Sequence, residues 1–134
     1  MKIKLLIGAI MTCWLISGCS DTETPDTTFF LSKEWKMVDV FVDGQSLQID
    51  KDQYRLNLNE DLTFTRINFD GSVQEGQWAL ENGFNQLVLF SDRPDAEQYL
   101  IVELRIRKLE LQVISSDDKV GSTEYRYLLK PTRP

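Results

Sequence analysis

Short runs of alternating apolar and polar residues, separated by tight-turn sequences, most constrain the fold of this 134-residue chain. Residues 54–58 (Tyr-Arg-Leu-Asn-Leu) alternate cleanly, which is typical of a β-strand with one buried face. Asp43-Gly44 ends an earlier run, and Asn82-Gly83 predicts a tight turn. Asp70-Gly71 predicts a type I′ hairpin turn, which needs positive φ at both central residues. Because no segment has the apolar period of an amphipathic helix, we expect an all-β chain.

Eight strands are expected from Trp35 onward, and most consecutive strands are joined by short turns. Such a series favours an up-and-down antiparallel meander, and closure into a barrel removes the unpaired edges that invite aggregation. The predicted fold is a small antiparallel up-and-down eight-stranded β-barrel, with an open sandwich as the alternative. The apolar alternation slips between Phe64 and Ile67, which predicts a β-bulge or a twist there. The strands lie near residues 35–42, 54–58, 62–69, 73–80, 84–90, 99–106, 109–114 and 123–130.

The alternation also predicts which side chains point into the barrel. An eight-stranded barrel has an interior just wide enough to be filled by side chains or to hold one small ligand. A buried phenol needs a hydrogen-bond partner, so the inward tyrosines favour positions at a barrel mouth. The remaining inward candidates are Leu56, Leu58, Leu80, Leu87, Leu89, Leu100, Val102, Leu104, Leu109, Leu111 and Val113. The candidate ligand-binding residues are the aromatic ones: Trp35, Tyr54, Phe64, Trp78, Tyr125 and Tyr127.

The N-terminus has the features of a secretory signal peptide. Lys2 and Lys4 supply positive charge, and the apolar stretch 5–16 is too short to span a hydrocarbon core of ~30 Å. It ends in Ile16-Ser17-Gly18-Cys19, which resembles the lipobox of bacterial lipoproteins. The expected organisation is a cleaved signal peptide at 1–18, a lipidated cysteine with a flexible acidic tether at 19–30, and a barrel domain at 31–134.

The lipobox resemblance implies how the mature protein is anchored. In that family the cysteine thiol receives a diacylglyceryl group, and palmitate is among the acyl chains, so Cys19 is the expected lipid-attachment residue. Two or three acyl chains hold a protein in a membrane far more firmly than one. Ser20 stands where an aspartate would favour inner-membrane retention. The resemblance therefore implies a bacterial cell-envelope protein of the outer membrane, on its periplasmic or surface face.

Short motifs in the domain resemble the bacterial lipocalin-like domain of small lipoproteins. The matching stretches begin with Leu31-Ser32-Lys33-Glu34-Trp35, Asp61-Leu62-Thr63-Phe64 and Gly76-Gln77-Trp78-Ala79-Leu80. Leu87-Val88-Leu89, Leu109-Glu110-Leu111 and a tyrosine-rich last strand continue the match over residues 31 to 130. The resemblance implies a lipocalin-like barrel. In true lipocalins a late arginine packs on the opening tryptophan and caps the closed barrel end. Arg126 is the candidate for such a contact with Trp35, but its parity is opposite to that of the inward tyrosines, which favours a solvated side chain.

Composition argues against several classes of function. The chain has no histidine, and Cys13 and Cys19 leave no thiol in the lipidated mature protein, so catalytic triads and thiol chemistry are excluded. We therefore expect no enzyme activity, no cofactor and no metal site. Two acidic groups are candidate Ca²⁺ sites: Asp92 with Asp95 and Glu97, and Asp117 with Asp118. Neither resembles an EF-hand loop. A net charge of −6 disfavours nucleic acid binding.

Two classes of function fit this sequence. One is a membrane-anchored module whose barrel mouth binds a small hydrophobic ligand. The alternative is a structural, interaction or inhibitor lipoprotein with a filled barrel, which contacts another envelope protein or a secreted protein. An inhibitor would use the loop at 91–96 or the loop at 115–121. Large side chains at every inward position favour the filled barrel, whereas a gap lined by Tyr and Trp favours the binding module.

Overall fold

The computed structural model describes residues 27–114 and 123–133. These residues form one short helix and nine β-strands. Residues 27–30, which the sequence assigned to the tether, form most of the helix. Among the residues described, no helix is long and apolar enough to cross a membrane. The elements are α1 (Thr27–Leu31), β1 (Glu34–Val42), β2 (Gln45–Ser46), β3 (Arg55–Leu58), β4 (Thr63–Ile67), β5 (Val73–Glu81), β6 (Gln86–Leu89), β7 (Glu97–Arg105), β8 (Lys108–Ile114) and β9 (Tyr125–Pro131).

Eight of the strands close into an antiparallel barrel. The sheet order is β1-β3-β4-β5-β6-β7-β8-β9, and β9 pairs back with β1 from Trp35↔Pro131 to Val42↔Tyr125. The two-residue β2 pairs only with the end of β1 and stands outside the ring. The predicted eight-stranded up-and-down barrel is therefore confirmed, and the open sandwich is wrong. Closure leaves none of the eight barrel strands with an unpaired edge.

The predicted turns differ in backbone conformation. Asp43 and Gly44 have φ values of 50° and 82°, so the β1–β2 connection meets the requirement of a type I′ turn. At Asp70-Gly71, only Gly71 has a positive φ, of 86°. Its N–H donates to the Asn68 carbonyl at 3.0 Å. This pattern is a turn followed by a left-handed residue, as in three-residue hairpin loops, so the type I′ prediction at Asp70-Gly71 is wrong.

β1 contains a β-bulge that sets its inward residues. The pairing register with β9 shifts between Met37 and Asp39, so Val38 is an extra residue on β1. Strict alternation would place Met37 and Val40 on opposite faces, because they are three positions apart. The bulge allows both to face the core, where they are 6% and 2% exposed.

A second β-bulge, in β7, changes the predicted inward set. The register with β8 shifts just after Ile101. Leu100 and Val102, expected inside, lie on the outer face with 37% and 40% of their surfaces exposed, so this prediction is wrong. Tyr99 and Ile101 face the core instead. The extra residue in the bulge then lets Leu104 also pack against the core.

β4 has no bulge, which was one of the two explanations that the sequence offered for the slip. It pairs with β3 and β5 without any shift of register. Phe64 and Arg66 both point inward, and both are buried. The apolar alternation therefore broke because an inward position holds an arginine, and the strand itself is regular.

The strand register defines two ends of the barrel. The closed end holds α1, the start of β1, the end of β9 and the turns at 59–62, 82–85 and 106–107. The open end holds the end of β1, the start of β9, and the loops at 43–54, 68–72 and 91–96. The buried core runs from the closed end through the middle of the barrel to Tyr54, Phe90 and Tyr99 toward the open end. It includes Leu56, Leu58, Phe64, Trp78, Leu87, Leu89, Leu109, Leu111 and Leu129.

Trp35 joins α1 to the barrel at the closed end. Its side chain has no exposed surface, and its Nε1 donates to the Leu31 carbonyl at 3.0 Å. The cation over its ring is Lys33, whose Nζ lies 5.2 Å from the ring centroid. Arg126 pairs with Glu110 and Glu124 instead of capping Trp35, in agreement with its outward parity.

Gly76 in β5 faces the core where no larger residue fits. A Cβ at this position would lie 2.8 Å from a Phe90 ring carbon and 2.9 Å from a Phe64 ring carbon. We expect Gly76→Ala to lower the free energy of unfolding by about 1–3 kcal/mol, because overpacking displaces both rings. Urea unfolding followed by circular dichroism measures this loss. The exposed neighbour Gln77→Ala is the control, and equal stability of the two variants would contradict the packing argument.

Candidate functional site

Arg66 lies inside the barrel near its open end, with 7% of its surface exposed. Its Nε and Nη2 donate to Gln74 Oε1 at 3.1 and 2.5 Å, and its Nη1 donates to Glu97 Oε1 at 3.2 Å. The guanidinium carbon is 5.6 Å from the centroid of the Phe90 ring. A buried guanidinium is costly unless its donors are matched by acceptors and its charge by a carboxylate. Gln74 and Glu97 supply both.

Glu97 is the charge partner of Arg66, and one of its oxygens is unsatisfied. Glu97 Oε2 lies 2.9 Å from Arg66 Nη2, yet it accepts no hydrogen bond within the described part of the chain. The contact is therefore electrostatic without the geometry of a hydrogen bond. Oε2 is buried, while the Glu97 side chain as a whole keeps 38% of its surface exposed at the mouth. Oε2 thus has a cationic neighbour and, among the described residues, no hydrogen-bond donor, which leaves it able to accept from a water or from a ligand.

Tyr54, Tyr99 and Tyr127 surround Arg66. Tyr99 Oη accepts from Arg66 Nη1 at 3.5 Å and donates to Glu97 Oε1 at 3.4 Å, and its ring centroid is 6.1 Å from that of Tyr127. Burial raises the pKa of Tyr54 and Tyr99 far above the ordinary value of 10.0, and it also raises the pKa of Tyr127. The charge of Arg66 opposes these shifts without cancelling them. The three phenols thus stay neutral and keep their hydroxyl protons for donation.

Burial of these phenols predicts a loss of stability in alkaline solution. Above about pH 10, tyrosines of the unfolded chain ionise while the buried ones stay protonated, so the folded state binds more protons. The buried neutral phenols thus make their full contribution to the free energy of unfolding below pH 10, and this contribution falls as the pH rises further. Urea unfolding at a series of pH values measures this slope. We expect a shallower slope in Tyr99→Phe, and tyrosinate absorbance from every tyrosine near pH 10 in the folded protein would contradict the prediction.

A hollow of about 780 Å³ opens beside this cluster at the open end. We call it the open-end hollow; its lining includes Ala96, Glu97, Tyr99, Val113, Ile114 and Tyr125. Its volume lies within the range of small-molecule pockets, roughly 300–1,000 Å³. Tyr125 is 42% exposed and shares the inward face of β9 with Tyr127, so its ring stands at the rim. The lining is mixed, because Asp95, Gln98 and Thr123 join the apolar and aromatic residues, and the Arg66–Glu97 pair lies beside it.

The six predicted ligand-binding residues divide between the two halves of the barrel. Trp35, Phe64 and Trp78 lie deep in the packed core, each at most 1% exposed. Trp78 Nε1 donates to the Asn59 carbonyl at 3.0 Å, so its polar atom is already used. Tyr54, Tyr125 and Tyr127 lie toward the open end, and only Tyr125 lines the open-end hollow.

Sequence reasoning missed the charged residues of this site. At Arg66 the sequence indicated only a break in the apolar alternation. Glu97 was a candidate only as a carboxylate ligand for Ca²⁺. Tyr99 was expected at the start of a strand, but as an outward residue, because Leu100 and Val102 were the predicted inward ones. The signal for Arg66 was present, because Phe64 and Arg66 keep the period of two that marks one face of a strand.

The acidic residues gather into no metal-binding group in the described ranges 27–114 and 123–133, where no three His, Cys, Asp or Glu side chains converge. Asp95 is engaged by Arg93, whose Nη2 lies 2.5 Å from its Oδ2. Glu97 is engaged by Arg66. Asp117 and Asp118 lie outside the described residues, as do Cys19 and the loop at 115–121.

A closed eight-stranded antiparallel barrel, with a short helix at one end and an open mouth at the other, defines a lipocalin-like β-barrel. One solved structure with this fold is a lipocalin-like protein from Bacteroides uniformis ATCC 8492. The two superpose with a TM-score of 0.51 at 12% sequence identity, over 76% of this chain and 98% of that chain. At this identity the likeness establishes the fold alone. No protein-family model and no curated protein matches the sequence.

Proposed function

We propose that this protein is a lipid-anchored envelope module that binds a small molecule in the open-end hollow. The observation that carries this proposal is the unsatisfied Glu97 Oε2, held by Arg66 among neutral tyrosines at the floor of the mouth. The ligand has an apolar body, which packs against Tyr125 and Val113. It also has a hydroxyl or amine group, which donates to the Glu97 carboxylate.

The packed core supports a site at the mouth rather than deep in the barrel. Trp35, Phe64 and Trp78 fill the lumen away from the open end, and each is at most 1% exposed. A ligand placed there would have to displace a close-packed interior, which is strongly unfavourable. These three residues therefore stabilise the barrel, and Tyr54 and Tyr127 support the Arg66–Glu97 pair. Tyr125 is the predicted residue that contacts the ligand directly.

Attachment through Cys19 is the second part of this proposal. The lipobox-like Ile16-Ser17-Gly18-Cys19 and the apolar stretch before it support cleavage and acylation. The mature protein is then held at the outer membrane of a bacterial envelope. It has no enzyme activity and uses no cofactor, which the absence of histidine from the chain supports.

Ligand binding is tested by native mass spectrometry of the chain from Ser20 onward, isolated from bacterial cells without detergent. We expect a bound species of a few hundred daltons. Tyr125→Ala should lose it, because Tyr125 walls the hollow while contributing little to the buried core. Val73→Ala is the matched control, since Val73 is 61% exposed on the outer face at the same end. A clean apo mass after incubation with an envelope lipid extract would contradict the proposal.

Lipidation is tested by intact-mass measurement of the full-length protein extracted from membranes. We expect a mature chain that begins at Cys19 and carries acyl mass. Cys19→Ser should lose that mass and should no longer float with membranes on a density gradient. A wild-type protein that keeps residues 1–18, or that lacks acyl mass, would overturn this part alone.

The filled lumen away from the open end favours a second function, that of an interaction or inhibitor lipoprotein. In this case the open-end loops contact another envelope protein or a secreted protein. The loop at 91–96 is ordered for such a role, because Arg93 lies 4.6 Å from the Phe90 ring centroid and pairs with Asp95. Cross-linking from this loop in intact cells distinguishes the two functions, since a ligand-binding module gives no protein adduct there.

A further inference from the structure

Lys36 and Lys130 lie side by side on the outer wall near the closed end, and Arg55, which begins β3 at the open-end loop, continues their row toward the open end. Lys36 in β1 is the register partner of both Arg55 in β3 and Lys130 in β9. Like charges directly opposite each other in a sheet are destabilising. Among the residues that the structure describes, no carboxylate forms an ion pair with any of the three. In a chain of net charge −6, this row is unfavourable for the isolated fold and favourable for contact with an anionic surface.

An apolar groove of about 820 Å³ lies at the closed end, next to these cations. Its lining includes Phe84 and Ile106, which are 49% and 65% exposed. Arg107 lines this groove and also a neighbouring hollow together with Lys36 and Lys130. The groove and the cations thus form one continuous surface. We call it the closed-end surface, made of Phe30, Phe84, Ile106, Arg107, Lys36, Lys130 and Arg133.

The course of the chain brings the membrane anchor to this end. Thr27, the first residue of α1, lines the same groove and follows Cys19 by eight residues. Eight residues span at most ~29 Å when fully extended. An acylated Cys19 therefore keeps Thr27 and the closed-end surface within about 29 Å of the bilayer. This step rests on the lipidation proposed above.

We infer that the closed-end surface docks on the anionic phospholipid surface of the membrane that holds Cys19. Phe84 and Ile106 enter the boundary between headgroups and acyl chains, and the cations of the closed-end surface meet the lipid phosphates. A lipid surface fits both parts, because interfacial proteins combine an apolar edge with flanking Lys and Arg. The docked barrel directs its open end away from the bilayer, where a ligand reaches it freely.

Site-specific fluorescence tests the docking in the lipidated full-length protein, reconstituted in phosphatidylcholine vesicles with and without phosphatidylglycerol. Because Cys19 is acylated, Ile106→Cys supplies a single labelling site at the closed end. Val73→Cys supplies the matched site at the open end. With phosphatidylglycerol, we expect the label at 106 to shift to shorter wavelength and to lose quenching by aqueous iodide. The label at 73 should keep both properties of an aqueous position.

Charge removal makes the test specific. Lys36→Ala with Lys130→Ala should shift the docking equilibrium by roughly fivefold for each cation lost. Arg93→Ala with Arg126→Ala removes the same charge elsewhere and should leave docking unchanged. Raising the salt from ~0.1 M to ~1 M shortens the screening length from ~10 to ~3 Å and should weaken docking in the wild type.

The outcomes separate this inference from the lipidation on which it rests. A protein that does not float with vesicles lacks the anchor, and the proposed lipidation fails. A protein that floats while its label at 106 stays quenched overturns the docking alone. Equal protection at 106 in both kinds of vesicle overturns the role of the cations. Protection in native envelope membranes without protection in pure lipid assigns the surface to a protein partner and overturns the inference.

Discussion

Replacing Trp35 with alanine is expected to lower the free energy of unfolding by about 3–5 kcal/mol, the usual loss for a buried tryptophan. The side chain is fully buried in the core cluster and also ties Leu31 of α1 to β1. The variant leaves a large cavity at the closed end and releases the helix. Such a loss is a large part of the total stability of a small domain, about 5–15 kcal/mol. Urea unfolding followed by circular dichroism measures it.

Trp35→Phe separates the packing of this residue from its hydrogen bond. The Leu31 carbonyl also accepts from the Lys33 N–H at 2.8 Å, so it stays satisfied when the indole N–H is lost. We therefore expect Trp35→Phe to cost about 1–2 kcal/mol, mostly from reduced volume. If Trp35→Ala were no less stable than Trp35→Phe, the closed end would not depend on the packing of this ring.

Replacing Arg66 with methionine is expected to lower the free energy of unfolding by about 3 kcal/mol, the lower end of the range for a broken buried ion pair. The change leaves Glu97 without its cation and Gln74 Oε1 without the donors from Arg66. We expect a loss at the lower end of that energy range because the Glu97 side chain stays partly exposed to water at the mouth. Burial alone would lower the pKa of Arg66, but the Glu97 hydrogen bond and the nearby tyrosines hold that pKa above its ordinary value.

Two controls show whether the loss in Arg66→Met comes from an unpaired charge. Combining Arg66→Met with Glu97→Gln should recover about half of the stability or more, because no buried charge then lacks a partner. Arg93→Met breaks the exposed Arg93–Asp95 pair and should cost less than about 1 kcal/mol. A double variant as unstable as Arg66→Met alone would contradict the explanation based on an unpaired charge.

Local patterns predicted most of the strands correctly. β3 lies within the alternating stretch 54–58, and β8 spans 108–114 where 109–114 was expected. This works because the period of two is a property of a few consecutive residues. The turn at Asp43-Gly44 likewise depends only on residues that tolerate positive φ.

The inward face of β7 was not predictable in this way. Leu100 with Val102 and Tyr99 with Ile101 are both apolar pairs spaced two apart, so either face could have been the buried one. The choice follows from the pairing of β7 with β6 and β8, where Tyr99 lies opposite Leu87 and Val113. Register between strands is decided by the packing of the whole barrel.

The charged site depends even more on long-range contacts. Arg66 and Glu97 are 31 positions apart, and neither strand by itself indicates the partner of its charged residue. Only the closure of the barrel brings β4 and β7 to face each other across the lumen. Phe90 completes the site. Its backbone has a positive φ of 57°, and its side chain is buried directly after that of Leu89, so two consecutive residues face the core.

The sequence by itself determined that this protein is an all-β barrel of eight consecutive strands, because alternation and turn chemistry act over a few residues and dictate strand number and order. Only the tertiary structure decided what the two ends of the barrel carry. The pair Arg66–Glu97 at the open end and the neighbouring Lys36 and Lys130 near the closed end both arise from strand register. Register depends on the fit of all eight strands at once, which places distant residues at hydrogen-bonding or repelling distance.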